Sequence, residues 1–172
     1  MSFQNRKAWG EKLYPEVFSV FAQVIGREST LSEDMGKGVD LVLPAAGISV
    51  RIRRPEYAKY SGDITIRLNP NEDGRTELDK LLSPPAAGLK VDYFFYGFAV
   101  DNECTALGHW TIYDMEIFAG TDVRYQERMT RNGEKFAVFR VQDFPHDFIL
   151  GGGFGDQITH RRTSRRVDGG SS

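Results

Sequence analysis

The chain has 172 residues, a formal net charge of −2 and a single cysteine, with 40% apolar and 27% charged residues. These values are typical of one globular domain with a sizeable core, and they exclude wholesale disorder and a framework of intramolecular disulfides. No apolar run approaches the roughly 18 residues that a membrane-spanning helix needs. The first residues lack the apolar segment of a secretory signal, so we expect a cytoplasmic protein that does not act at a membrane.

The first predicted element is a helix within residues 5–29. Apolar residues recur there at helical spacing, at Leu13, Val17, Val20, Phe21 and Val24. Pro15 either kinks one long helix or lies at the first position of a shorter one, because proline lacks an amide hydrogen. Gly26 is a typical helix stop signal.

After a polar connector the apolar period changes from helical to two, which predicts three β-strands around residues 40–43, 48–53 and 63–68. Residues 40–54 are interpreted as a β-hairpin. One face of the three strands is expected to enter the core. The other face gathers two acids and three arginines on adjacent strands, namely Asp40, Asp63, Arg51, Arg53 and Arg67.

The second half of the chain predicts a short helix at residues 75–83 and then mostly strands. Residues 90–100 are apolar on both faces, as in a central strand that is covered on both sides. Residues 109–120 are interpreted as another strand. Residues 122–141 are interpreted as a hairpin in which Asn132 and Gly133 form a two-residue turn.

The predicted fold class is α+β, with a central mixed sheet. Its core has the order helix, strand, strand, strand, helix, strand, and a further C-terminal β-hairpin follows. Residues 1–150 are expected to form this single domain. Residues 151–172 are interpreted as a Gly-rich linker and a basic, flexible tail.

The order helix, three-strand meander, helix, strand resembles the core of the PD-(D/E)XK nuclease superfamily, which includes archaeal Holliday-junction resolvases and many restriction enzymes. The segment WGEKLY resembles the Gly-Glu near the start of the resolvase first helix and points to Glu11. The segment VDLVLPAAG resembles the strand that carries the metal-binding aspartate and points to Asp40. The likeness covers roughly residues 5–100.

The chain departs from that family at its chemical centre, because ISVRIRR places Arg51 and Arg53 where the family has Glu-x-Lys. Guanidinium groups supply neither a metal-ligand oxygen nor a base. The resemblance therefore implies one of two sites. Either a migrated Mg²⁺ site of Glu11, Asp40 and Asp63 cuts DNA as an endonuclease, or the arginines hold phosphate without cutting.

Further basic residues lie in the predicted tail, where four arginines occur within eight residues: Arg161, Arg162, Arg165 and Arg166. Together with Arg51, Arg53 and Arg67 they are predicted to bind the phosphates of DNA or RNA. A solvated tail is the alternative. A small, compact chain of this kind also fits a phage or a mobile element.

A second functional class stays open at this stage. The same mixed-charge strands suit a small protein-interaction module, such as an inhibitor of a nucleic-acid enzyme or a structural subunit of a larger assembly. The acidic balance of residues 1–158 favours this alternative, because surfaces that bind a duplex usually carry excess positive charge. The sequence leaves the oligomeric state open.

Overall fold

The computed structural model describes residues 3–28, 41–42, 46–70, 74–82 and 90–161. The α-helices are α1 (Phe3–Glu11), α2 (Tyr14–Ile25), α3 (Glu77–Leu82) and α4 (Met115–Gly120), and 3-10 helices occur at Pro55–Tyr60, Val141–Asp143 and His146–Phe148. The strands are β1 (Arg27–Glu28), β2 (Leu41–Val42), β3 (Gly47–Arg53), β4 (Asp63–Arg67), β5 (Val91–Ala99), β6 (Leu107–Asp114), β7 (Gln126–Met129), β8 (Lys135–Arg140), β9 (Ile149–Phe154) and β10 (Gln157–Arg161). Within these ranges no helix is long and apolar enough to cross a membrane.

The strands form two main sheets. A five-stranded sheet has the order β10-β9-β6-β5-β3 and is mixed, because β3 runs parallel to β5 while the other pairs are antiparallel. A three-stranded antiparallel sheet has the order β4-β8-β7. The predicted fold class, α+β with a central mixed sheet, is confirmed.

Strand β5 supplies two hydrophobic cores, because successive side chains on a strand point to opposite faces. Phe94, Tyr96 and Phe98 enter a core shared with the three-stranded sheet. Phe95 and Ala99 enter a second core, shared with α2. The domain therefore has three layers, with the five-stranded sheet between α2 and the three-stranded sheet, and the prediction of a central strand covered on both sides is confirmed.

Helix α2 shows why Pro15 is tolerated. The helix begins at Tyr14, so Pro15 lies in its first turn, where backbone amides have no partner within the helix. The amide of Gly26 donates to the carbonyl of Ala22 at 2.8 Å and ends the helix. The interpretation of a shorter helix is therefore confirmed, with Pro15 at its second position instead of the predicted first.

Two predicted strand pairings are wrong. Among the described residues β2 pairs with β1, so residues 40–54 do not form a hairpin. Strands β3 and β4 lie in different sheets, since β3 pairs with β5 and β4 with β8, so the three strands do not form a meander. A period of two fixes which face of a strand is buried, but it does not determine the neighbouring strand.

The interpretation of residues 151–156 as a linker is also wrong. Gly151, Gly152 and Gly153 lie in β9, which pairs with both β6 and β10. A Cβ atom on Gly153 would collide with the carbonyl oxygen of Gln157, so the strands approach too closely there for any side chain. Residues 162–172 of the predicted tail lie outside the described residues.

Two further predictions are refined by the structure. The predicted strand at residues 109–120 ends at Asp114, whose carboxylate accepts from the amides of Glu116 and Ile117 and caps α4. The hairpin of β7 and β8 is confirmed, but five residues, 130–134, separate the two strands instead of a two-residue turn. The amide of Thr130 donates to the Glu134 carbonyl at 2.8 Å, and Gly133 adopts a φ of +79°.

Candidate functional site

The outer face of the three-stranded sheet carries the most distinctive surface of the described structure. Alternate residues of β4 and β8 are buried in the first core, among them Ile64, Ile66, Ala137 and Phe139. The intervening side chains point to the opposite face. Strand pairing places them in rows across the sheet: Thr65 beside Val138 and Gln126, and Arg67 beside Phe136 and Arg128.

This outer face forms the floor of a groove with a volume of about 1030 Å³. Its walls are β3, the 3-10 helix Pro55–Tyr60 and part of α1. The volume is slightly above the roughly 300–1,000 Å³ that is typical of small-molecule sites.

The groove is electropositive although the whole chain has a net charge of −2. Among the residues that the structure describes, seven basic side chains line it: Arg51, Arg53, Arg54, Arg67, Lys80, Arg128 and Arg140. Three of the described acidic side chains line it: Asp63, Glu77 and Glu134. The excess of four positive charges within one concave surface attracts anions and raises their local concentration.

Arg51 joins the two sheets. Its Nη1 donates to the carbonyl oxygen of Thr65 at 2.7 Å, and its Nη2 forms a salt bridge with Glu77. Glu77 also accepts from the backbone amide of Arg67 at 3.0 Å. The outward-facing edge of β4 is therefore closed by side chains from β3 and α3, and the charge of Arg51 is balanced by a carboxylate.

Arg53, two residues further along β3, has different partners. Its Nη1 donates to the hydroxyls of Thr65 and, at 3.1 Å, of Tyr96, and its guanidinium carbon lies 4.5 Å from the ring centroid of Tyr57. These hydroxyl and ring partners are all neutral. Arg53 is therefore held in position with its charge available to an anionic ligand.

Arg67 lies on the floor of the groove and is incompletely paired. Its Nη2 lies 3.5 Å from Glu134 Oε1, and its Nε is buried with no hydrogen-bond partner in the described part of the chain. On the far side of Phe136, the side chain of Arg128 is exposed, with a long 3.5 Å contact to the Gln126 amide oxygen.

Aromatic side chains accompany the cations along the walls. Tyr57 and Tyr60 of the 3-10 helix are 41% and 53% exposed, which is high for large rings. The ammonium of Lys59 lies 5.1 Å from the ring centroid of Tyr60. Exposed rings beside cations are typical of surfaces that stack on planar ligands.

The predicted metal ligands are only partly brought together. Asp63 lines the groove, whereas α1 contributes Trp9 and Gly10 to its wall but not Glu11. Asp40 lies outside the described residues. Within the described ranges no group of three or more His, Cys, Asp or Glu side chains is placed to hold a metal ion. The Mg²⁺ site therefore stays a prediction, with one of its three carboxylates on the groove.

The described part of the predicted basic tail does not line the groove. Arg161 is the last residue of β10, which forms one edge of the five-stranded sheet, while β3 at the groove forms the opposite edge. Arg162, Arg165 and Arg166 lie outside the described residues.

Several groove residues were missed by the sequence analysis, namely Arg54, Tyr57, Tyr60, Lys80, Arg128, Phe136 and Arg140. A usable signal was present in the predicted hairpin. Alternate positions of residues 126–140 carry the polar or aromatic face, but nothing in the sequence links that face to β3.

The single thiol lies apart from the groove. Cys104 is buried, and burial raises its pKa to about 11, so it stays protonated at neutral pH. A reactive cysteine nucleophile is therefore not supported at this position.

No known protein family, curated protein or solved structure matches the chain. The resemblance to PD-(D/E)XK nucleases stays a prediction. The residues of the groove are the remaining evidence on the function of the protein.

Proposed function

We propose that the groove binds nucleic acid, with arginines holding the phosphates and aromatic rings contacting the bases. The observation that carries this proposal is the excess of four positive charges in a groove of an otherwise acidic chain. Phosphate contacts dominate the affinity of nucleic-acid-binding proteins. The neutral surroundings of Arg53 support the same conclusion, because a guanidinium that has no carboxylate partner favours a phosphate.

The closed edge of β4 supports recognition by side chains. A peptide that adds a strand to a sheet needs free backbone donors and acceptors along an edge. On β4 the carbonyl of Thr65 is already bonded to Arg51 and the amide of Arg67 to Glu77. A ligand in the groove therefore meets guanidinium groups and rings before it meets that backbone.

A protein partner is the second candidate, and one observation favours it. A small apolar cleft lies between α2 and β3, and Phe18 beside it is 64% exposed. Such a surface can accept an apolar side chain of another protein. Binding there would depend little on salt, whereas phosphate binding weakens steeply as salt rises.

Cleavage of the bound nucleic acid is the further activity that the resemblance implies. It would need Mg²⁺ held by Asp63 together with Asp40 and Glu11, and the metal would stabilise charge that develops on the phosphate. We propose binding as the primary function, since the arginines on the groove support it independently of that metal site. A cytoplasmic location and a phage or mobile-element origin remain part of the proposal.

Binding is tested by fluorescence anisotropy with a labelled 20-nucleotide single strand and the matching duplex, each between 50 and 300 mM salt. We expect wild-type protein to bind at least one of them with a steep salt dependence. The Arg128→Gln variant should weaken binding and reduce the slope of log K against log salt by about 0.7 to 0.9, the value for one phosphate contact.

The matched control is Arg124→Gln, since Arg124 is exposed and does not line the groove. It should bind as wild type does. Absence of salt-sensitive binding to both probes would contradict the proposal and favour a protein partner. Metal-dependent cutting of plasmid DNA that is lost in both Asp63→Asn and Asp40→Ala would add the nuclease activity.

A further inference from the structure

Resting on the proposed function, we infer that the ligand is single-stranded nucleic acid and that one of its bases stacks on Phe136. The proposal goes beyond phosphate binding, because it assigns a base subsite to one ring on the floor of the groove. It depends on three features of the described residues: the row across the sheet, the second set of rings on the wall, and the concave shape.

The row across the three-stranded sheet places Phe136 between two cations. In the register of the strands, Phe136 lies directly opposite Arg67 on β4 and directly opposite Arg128 on β7. Neighbouring strands lie about 4.8 Å apart, so both arginine backbones are within about 5 Å of the phenylalanine backbone. A base on the ring would have a guanidinium on each side for the adjoining phosphates.

Phe136 is available for stacking, since it is the aromatic residue of β8 that points away from the core. Phe139, on the same strand, is buried against Phe118 and Phe144. Phe136 is partly buried, and its exposed part lines the groove. Rings that stand on a β-sheet surface beside basic side chains are a recurring means of stacking unpaired bases.

The wall of the groove repeats the same chemistry. Arg53 lies over the ring of Tyr57, and Lys59 lies beside the exposed ring of Tyr60. A chain that leaves the floor at Phe136 therefore meets the rings of Tyr57 and Tyr60 and the guanidinium of Arg53 along the wall. Consecutive bases of one strand can use such sites in turn, because every base has a flat face.

The concave shape favours a single strand over a duplex. Bases in a duplex are stacked between their neighbours, so reaching a ring on the floor of a groove requires that they first be unstacked. A single strand presents its bases without that cost. Among the described residues that line the groove, those that lie on helices include a single basic one, Lys80, so the described lining presents no basic helical face that could enter a major groove.

The experiment compares three 12-nucleotide probes by anisotropy at one salt concentration: an oligothymidine single strand, a duplex, and an abasic strand with the same phosphates. Wild-type protein should bind oligothymidine at least tenfold more tightly than the other two. The Phe136→Leu variant should lose about tenfold for oligothymidine and nothing for the abasic strand, because only stacking is removed. Phe136→Tyr should retain wild-type affinity for all three probes.

The outcomes separate this inference from the proposed function. Equal affinity for oligothymidine and the abasic strand, or an unchanged Phe136→Leu variant, would overturn the stacking site while leaving phosphate binding intact. Tighter binding of the duplex would overturn the single-strand assignment alone. Binding of none of the probes would contradict the proposed function itself. Leucine keeps an apolar side chain at this position, and circular dichroism of each variant verifies that it is folded.

Discussion

The two sheets of this protein differ in what covers their second face. The five-stranded sheet is covered by α2 on one face and by the three-stranded sheet on the other, so β5 is buried along most of its length. Within the described residues, the three-stranded sheet packs on the core with one face only. Its outer face carries rows of arginine, aromatic and polar side chains, and it forms the floor of the groove.

This difference shows how one alternating pattern serves two purposes. In β5 both sets of alternate residues are apolar, and both contribute to stability. In β8 one set, including Ala137 and Phe139, packs the sheet on the core, while the other lines the groove. Substitutions in the two sheets should therefore separate into losses of stability and losses of binding.

The largest expected effect on stability comes from replacing a phenylalanine by alanine, and the comparison uses one phenylalanine from each sheet. Phe95→Ala removes a fully buried ring from the second core and should lower the free energy of unfolding by about 3–5 kcal/mol. Phe136→Ala removes a partly buried ring from the floor of the groove and should cost less, about 1–2 kcal/mol, because less of that ring's apolar surface is buried in the folded protein. Urea denaturation of both variants measures the difference. Equal losses would contradict the division into a stability sheet and a binding sheet.

A smaller loss is expected from filling the close contact within the β9 and β10 hairpin. Gly153→Ala should lower the free energy of unfolding by about 1–3 kcal/mol, since the added methyl meets the Gln157 carbonyl and the ring of Trp110. Gly120→Ala is the matched control, because a Cβ there meets nothing within 4 Å. Thermal unfolding should leave the control near wild type, and a similar loss in both variants would mean that the glycines matter for another reason.

The smallest stability effect is expected at the junction between the sheets. Glu77→Gln weakens the salt bridge to Arg51 and should cost about 1 kcal/mol, because both side chains are partly exposed to solvent. The same change removes a negative charge from the groove, so oligonucleotide binding should become tighter. Denaturation should show the lower stability and fluorescence anisotropy the tighter binding, both measured on the same preparation. Glu103→Gln serves as a control at an exposed position. Weaker binding would show that Arg51 needs Glu77 for its position.

The faces of the strands were predictable from the sequence, and the neighbours of the strands were not. The alternation of Ile64, Thr65 and Ile66 correctly separates core from surface. It carries no information that β4 would pair with β8, about 70 residues later, instead of with β3. The grouping of Arg51, Arg53, Asp63 and Arg67 was therefore expected, but on the basis of a meander that does not form.

The prediction of a linker at the glycine run of residues 151–153 was wrong for a related reason. Glycine is common in linkers, and it is also the residue that fits where strands approach each other closely. Only the positions of Val24 and Gln157 distinguish these two cases, and both depend on the tertiary structure. The aromatic residue on the floor was missed in the same way. In the sequence Phe136 is one more apolar residue of a hairpin, and only the tertiary structure shows that it lies on the face away from the core.

The long-range pairing of β4 with β8 has a consequence for how the protein is made. Neighbouring strands such as β5 and β6, or β9 and β10, close short loops and can form early in folding, whereas β4 must wait for a partner synthesised much later. On the ribosome, Thr65 and Arg67 emerge long before Phe136 and Arg140. The groove of a nascent chain therefore cannot form until β8 has been translated and has left the ribosome, well after its first arginines have emerged.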